Sequence, residues 1–82
     1  MPVFQVYSRE GCHLCEIIIE ELLVLLHGRA EVQVHDIDSR ADWRQEYDVR
    51  VPVVELDGSV LCEYSLDRAR VLKALSGLAD RG

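Results

Sequence analysis

The sequence predicts an α/β domain in which three helices cover a mixed four-stranded sheet, in the order β-α-β-α-β-β-α. A strand, a helix and a second strand follow one another within about thirty residues, which is typical of a βαβ unit with parallel strands. Later, Asp57-Gly58 separates two short apolar segments and predicts a hairpin, whose strands must be antiparallel. The chain of 82 residues is long enough for one core, so we treat residues 1–82 as a single domain.

The first third of the chain predicts a strand followed by a long helix. Val3–Tyr7 is rich in aromatic and β-branched residues and is expected to form a short buried strand. Cys12–His27 has the 3.6-residue period of an amphipathic helix, and Gly28 is placed to end it. Its apolar face is expected to comprise Leu14, Cys15, Ile18, Ile19, Leu22, Leu25 and Leu26. Ile17 and Val24 fall on the polar side, either as scattered surface residues, which we favour, or as a small contact for a partner.

The middle of the chain predicts a second strand and a short helix. Glu31–Ile37 alternates between apolar and polar residues, as a strand does. Asp38 and Ser39 are residues that commonly begin helices. A helix over 40–47 would then bury two aromatic residues four positions apart, Trp43 and Tyr47.

The last third predicts the hairpin and a third helix. Val51–Leu56 and Ser59–Glu63 are its two strands. Ser65 is expected to cap a helix that reaches Leu75 and ends at Gly77, with residues 80–82 fraying. The inward face of this helix is expected to comprise Leu66, Ala69, Leu72 and Leu75.

The charge balance narrows the class of partner. Nine Lys and Arg residues face fifteen Asp and Glu residues, which gives a formal charge of −6. Nucleic acids and anionic membranes bind basic surfaces, so neither is expected as a partner. No signal peptide follows Met1, and the longest apolar run, Leu22–Leu26, is too short to span a bilayer. We therefore expect a cytoplasmic protein.

Two cysteines three residues apart are the strongest functional signal. Cys12 stands where the long helix begins, and the unpaired N–H groups and positive dipole end there favour thiolate over thiol. A thiolate attacks disulfides and binds metals. Cys15 lies on the same side of the first turn and can close a disulfide with Cys12. We interpret Cys12 as the attacking thiol and Cys15 as the resolving thiol, the alternative being two core cysteines with chance spacing.

These features together resemble the glutaredoxin branch of the thioredoxin fold, over nearly the whole chain. The segment Tyr7–Cys15 looks like the glutaredoxin stretch in which a basic residue lies three positions before the first cysteine, here Arg9. Val51-Pro52 resembles the family's Val-Pro with a cis peptide bond facing the active site. The Asp57-Gly58 turn also matches the family's hairpin.

The resemblance implies a glutaredoxin-like thiol–disulfide oxidoreductase that reduces protein disulfides or glutathione mixed disulfides. Val51 and Pro52 would present backbone groups to an extended thiol substrate. Arg9 could attract an anionic substrate such as glutathione, and a protonated His13 could stabilise the Cys12 thiolate; for both, an ordinary exposed side chain is the alternative. No bound organic cofactor is implied, glutathione or a reductase would supply electrons, and we expect a monomer.

The sequence departs from the family at two places and leaves two other functions open. His13-Leu14 replaces the usual Pro-Tyr between the cysteines, and Leu61-Cys62 stands where the family has the Gly-Gly that lets its backbone approach glutathione. One alternative is a metal or iron–sulfur module, in which Cys62, His13 or glutathione would complete the ligand set. The other is a non-catalytic binding domain on the same fold. For Cys62, we favour a buried packing role.

Overall fold

The computed structural model describes the backbone of residues 2–81 and the side chains of residues 2–77. Seven elements follow the predicted order: β1 (Val3–Ser8), α1 (His13–Leu26), β2 (Glu31–Asp36), α2 (Ala41–Tyr47), β3 (Val53–Leu56), β4 (Ser59–Glu63) and α3 (Arg68–Arg81). A single 3₁₀ turn, Ile37–Ser39, joins β2 to α2. None of the described helices is long and apolar enough to cross a membrane.

The four strands form one mixed sheet in the order β2-β1-β3-β4. β1 and β2 are parallel, so that Val3 lies opposite Glu31 and Ser8 opposite Asp36. β3 is antiparallel to both β1 and β4. The predicted parallel βαβ unit and antiparallel hairpin are therefore both confirmed.

The core lies between one face of the sheet and two helices. Alternate residues of β1, Phe4 and Val6, are fully buried and point toward α1 and α3. The other members of this cluster are Ile18, Leu22, Leu26, Val54, Leu56, Cys62, Val71 and Leu75. Burial of this apolar surface is the main favourable contribution to folding.

Helix α1 matches the prediction except at its first turn. Cys12 is the residue before the helix, and His27 ends it in a left-handed conformation, with φ 48°, one residue before Gly28. Leu14 was expected to face the core, but half of its side chain, 51%, is exposed. The reason is geometric: Leu14 is displaced about 100° around the helix from Cys15 and lies at the border of the buried face.

Helix α2 covers the opposite face of the sheet, and the prediction that its aromatic residues are buried in the core is wrong. Trp43 and Tyr47 are half-buried, because this short helix alone leaves the face partly open to solvent. The ring of Tyr7 stacks on that of Tyr47, with centroids 4.2 Å apart. The hydroxyl of Tyr47 donates a hydrogen bond to Glu55 at 2.7 Å. The aromatic residues thus form a half-exposed layer with polar partners.

The hairpin forms as predicted, with a later start to its first strand. Asp57 and Gly58 both adopt positive φ, 52° and 82°, as a tight hairpin turn requires. β3 begins at Val53, and the preceding Val51-Pro52 peptide bond is cis. Two residues that were expected to extend this strand therefore belong to the loop before it.

Helix α3 starts and ends later than predicted. Asp67 is its cap, since its carboxylate accepts a hydrogen bond from the N–H of Arg70 at 3.1 Å, and Ser65 is not the cap. The inward face consequently shifts to Val71, Ala74 and Leu75, while Ala69 and Leu72 are exposed and Leu66 lies in the loop before the helix. Gly77 lies inside α3, which continues to Arg81. Residues 80 and 81, which were expected to fray, are therefore helical, and Gly82 lies outside the described residues.

Candidate functional site: the Cys12–Cys15 pair and its groove

Cys12 and Cys15 are joined as a disulfide at the start of α1. Their Cα atoms are 5.2 Å apart, within the range that a disulfide requires. Cys12 has an extended backbone, with φ −87° and ψ 107°, and its Sγ accepts a hydrogen bond from the backbone N–H of Cys15 at 3.1 Å. The sulfur atom thus takes the place of the oxygen that usually caps a helix. The same N–H group is placed to stabilise negative charge on Cys12 once the disulfide opens.

The two cysteines differ in their access to solvent. Cys12 is half-buried and lies on the surface of a groove, whereas Cys15 is only 2% exposed and sits under the first turn of the helix. An external sulfur atom therefore has access to Cys12 first.

The groove around the disulfide is open, with a volume of about 370 Å³. Parallel strands β1 and β2 end side by side at its floor, and they contribute Ser8 and Asp36. The loop after β1 contributes Arg9 and Glu10, and the first turns of α1 add Glu16. Its charged lining is consequently dominated by carboxylates.

Arg9 lines the groove, but two carboxylates engage its guanidinium group. Nε and Nη2 of Arg9 donate to the carboxylate of Asp38 at 3.0 and 3.1 Å, and Nη2 lies 2.9 Å from Asp48. The hydrogen bond to Asp38, followed by that to Asp48, raises the pKa of Arg9. The hydrogen bond from Arg9 in turn lowers the pKa of Asp38. Arg9 thereby holds the groove loop to the segments on either side of α2.

The side chain of His13 lies in solvent. Its side chain is 84% exposed, and its Nδ1 lies 3.8 Å from a carboxylate oxygen of Glu16. The structure therefore pairs His13 with an acidic neighbour one turn along the helix. Leu14, beside it, presents a half-exposed apolar side chain between the two cysteines.

Val51 and Pro52 belong to the loop before β3. Pro52 is buried and Val51 half-buried, and the carbonyl oxygen of Pro52 accepts a hydrogen bond from the N–H of Tyr64 at 2.9 Å. Neither residue is among the described lining of the groove. The structure thus brings together Arg9, Cys12 and Cys15, and it leaves Val51 and Pro52 on a neighbouring segment.

Cys62 packs in the core, as the sequence favoured. Its Sγ accepts a hydrogen bond from the N–H of Asp67 at 3.2 Å, and burial raises the pKa of its thiol. A raised pKa keeps the sulfur protonated and therefore a poor nucleophile. Within the described part of the chain, no three His, Cys, Asp or Glu side chains are grouped as a metal site would require.

Sequence reasoning missed several residues that make specific contacts in the loops and at the helix ends. Asp38 and Asp48 stand far from Arg9 along the chain, and only the fold brings them to its guanidinium group. Tyr64 adopts a left-handed backbone, with φ 67°, and its hydroxyl donates to the carbonyl of Val49 at 2.6 Å. No local signal predicts either relationship. Asp67, in contrast, is a common capping residue and could have been recognised.

A family model for the glutaredoxin-like domain (DUF836) matches residues 4–76. The chain belongs to this glutaredoxin-like family. The matched range extends from β1 into α3 and includes both cysteines and the Val51-Pro52 bond. Among curated proteins, no match to the chain was found.

Solved structures agree with the family assignment. The chain is 37% identical to a Nitrosomonas europaea protein solved by NMR, with a TM-score of 0.80 and 89% of each chain covered. An X-ray structure from X. campestris is 28% identical, with a TM-score of 0.69, covering 90% of this chain and 96% of that one. The germline-specific thioredoxin Deadhead of Drosophila melanogaster is 19% identical, with a TM-score of 0.52 and coverage of 94% and 80%. That last similarity shows the thioredoxin-like fold alone, which this glutaredoxin-like domain shares.

Proposed function

We propose that this glutaredoxin-like protein is a thiol–disulfide oxidoreductase that reduces protein disulfides or glutathione mixed disulfides. The observation that carries the proposal is the hydrogen bond from the N–H of Cys15 to Sγ of Cys12 at the start of α1. This contact and the helix dipole both favour a Cys12 thiolate in the reduced protein. The buried position of Cys15 suits a thiol that acts second.

In the proposed reaction, the Cys12 thiolate attacks one sulfur atom of the substrate disulfide. A mixed disulfide forms with Cys12, and the other substrate sulfur leaves as a thiolate that takes up a proton. Cys15, deprotonated, then attacks the Cys12 sulfur, which closes the protein disulfide and releases the second substrate thiol. The substrate gains two electrons, and the dithiol of the protein is oxidised by the same two. Glutathione or a reductase would restore the dithiol, and a reducing cytoplasm is the location that we propose.

The test is a single-turnover exchange between the reduced protein and 2-hydroxyethyl disulfide, followed by intact mass. The parent protein should lose two hydrogens and release two thiols. Cys15→Ser should stop as an adduct on Cys12, and Cys12→Ser should lose the fast reaction. Cys62→Ala, checked for folding by circular dichroism, is the matched control and should react like the parent. Equal rates for Cys12→Ser and the parent would rule out the proposal.

A further inference from the structure

The charges that surround the disulfide carry an inference about its substrate. Glu10, Glu16 and Asp36 line the same groove as the sulfur atoms, and they come from three different elements. Glu16 is largely exposed, with 75% of its side chain accessible. In the described structure, neither Glu10 nor Asp36 is paired with a Lys or Arg side chain. A molecule that reaches Cys12 therefore meets negative charge on several sides.

The single arginine of the described groove lining does not offset these carboxylates. Arg9 carries one positive charge, and it is held between Asp38 and Asp48, which carry two negative charges. This three-residue cluster is therefore negative as a whole. The two aspartates engage Nε and Nη2 of Arg9, so an incoming carboxylate that approaches Nη1 would also be repelled by their charges.

His13, which can also carry positive charge beside Cys12, is matched by an acid as well. Nδ1 of His13 lies 3.8 Å from Glu16, and the imidazole faces solvent. Even when protonated, His13 balances one carboxylate and leaves Glu10 and Asp36 uncompensated. The formal charge of the whole chain, −6, adds a field of the same sign.

We infer that the Cys12 groove selects protein disulfides flanked by lysine or arginine residues and disfavours anionic thiol compounds. This inference rests on the proposed exchange reaction at Cys12 and specifies its substrate class. Glutathione carries two carboxylates and one ammonium group, so its net charge is negative and it is repelled. A cationic flank is attracted to the groove, and the exposed side chain of Leu14 offers apolar contact beside the reacting sulfur atoms. The chemical steps are those given above, with the cationic disulfide as the oxidant of the protein dithiol.

Three small disulfides of different charge separate this inference from the proposed function. Cystamine is a dication, 2-hydroxyethyl disulfide is neutral, and 3,3′-dithiodipropionate is a dianion. Each disulfide is mixed with the reduced protein, and the rate of protein oxidation in a single turnover is measured. This rate is divided by the rate at which the same disulfide reacts with dithiothreitol, so that differences in the intrinsic reactivity of the disulfides cancel. At low ionic strength, we expect the normalised rate for cystamine to exceed that for the dianion about tenfold, a typical size for electrostatic steering. In 0.5 M salt this ratio should fall to about two, because the Debye length shortens.

Substitutions of the groove carboxylates test whether these residues cause the preference for the cationic disulfide. The double variant Glu10→Gln/Glu16→Gln should lower the preference for the dication several-fold, measured as the ratio of its normalised rate to that of the neutral disulfide with the same variant. Glu31→Gln is the matched control, because Glu31 is an exposed acid at the far end of β2, about 17 Å of strand from Asp36. This control should keep the preference of the parent. Two short peptide disulfides, with lysine or glutamate on either side of the cysteine, then test the protein substrate class, and the lysine peptide should react faster.

The outcomes are distinguishable. If none of the disulfides oxidises the protein, the proposed oxidoreductase function fails. If all three small disulfides react at equal normalised rates, or the dianion reacts fastest, exchange stands and the charge selection is wrong. A preference for the dication that survives Glu10→Gln/Glu16→Gln overturns its assignment to the groove. Equal rates for the two peptides overturn the protein substrate class.

Discussion

The guanidinium group of Arg9 donates two hydrogen bonds to the carboxylate of Asp38, and it reaches Asp48 with the same Nη2 atom. These contacts connect the loop before Cys12 to both ends of α2. The positive charge of this groove residue is thus offset within the protein by two carboxylates, which weakens its attraction for an anionic substrate. The contribution of the Arg9–Asp38 interaction to the stability of the protein should depend on pH.

The contribution of Asp38 to stability should disappear in acid. Because Arg9 lowers the pKa of Asp38 below its usual value of 3.8, the folded state favours the ionised carboxylate. The stabilisation is therefore present above that value and is lost as the pH falls through the lower folded-state pKa. Asp38→Asn should lower the free energy of unfolding at pH 7, and the difference from the parent should approach zero near about pH 2. Urea denaturation at both pH values measures this, and an equal difference at both would contradict it.

The buried face of α1 should be distinguishable from its exposed face with two adjacent leucines. Leu22 is fully buried in the core, whereas Leu23 is half-exposed on the same helix. Leu22→Ala should destabilise the protein by about 2–5 kcal/mol, because it removes buried contacts and leaves a cavity. Leu23→Ala should change the stability by less than about 0.5 kcal/mol. Urea denaturation compares the two, and similar losses would show that the helix is rotated from the described orientation.

The start of α3 should depend on Asp67 rather than Ser65. The Asp67 carboxylate accepts a hydrogen bond from Arg70, which satisfies one free N–H group of the first turn. Asp67→Ala should cost about 1 kcal/mol in the free energy of unfolding. Ser65→Ala, which replaces the cap suggested by the sequence, should have almost no effect. Thermal denaturation of both variants decides between the two caps, and a larger loss for Ser65→Ala would reverse the assignment.

The left-handed backbone of Tyr64 should favour glycine once the side chain is lost. Tyr64 has a φ of 67°, a conformation that is unfavourable for residues with a Cβ atom. Tyr64→Ala and Tyr64→Gly both remove the hydroxyl contact to Val49, so they differ mainly in this backbone preference. The glycine variant should be the more stable of the two by about 1 kcal/mol. If the alanine variant is as stable, Tyr64 does not hold this conformation in solution.

Much of the fold could be predicted because its signals are local. The 3.6-residue period of α1 and the Asp57-Gly58 turn each lie within a short segment, and both matched the structure. The exposure of Leu14 and the shifted face of α3 were missed for a different reason. A helical period gives relative positions on a helix, but the packed partner decides which residues at the border of a face are covered.

The candidate site divides in the same way. The spacing of Cys12 and Cys15 at a helix start is a local pattern, and it predicted the disulfide geometry. The pairing of Arg9 with Asp38 and Asp48 depends on contacts between segments that are distant along the chain, and the local sequence does not predict such contacts. The sequence therefore left Arg9 open between attracting an anionic substrate and being an ordinary exposed side chain, and its pairing with two acids is visible only in the structure. The arrangement of charges at this site could therefore be determined only from the tertiary structure.

Cys62 is the one cysteine outside the proposed exchange, and its sulfur atom is enclosed and hydrogen-bonded to Asp67. Alkylating reagents should reach it only when the domain opens. In a fully reduced sample, labelling of Cys62 itself, located by peptide mass, therefore reports the unfolded fraction. Cys62 is thus an internal probe of unfolding, and mass spectrometry can follow its labelling in the same sample as a turnover experiment.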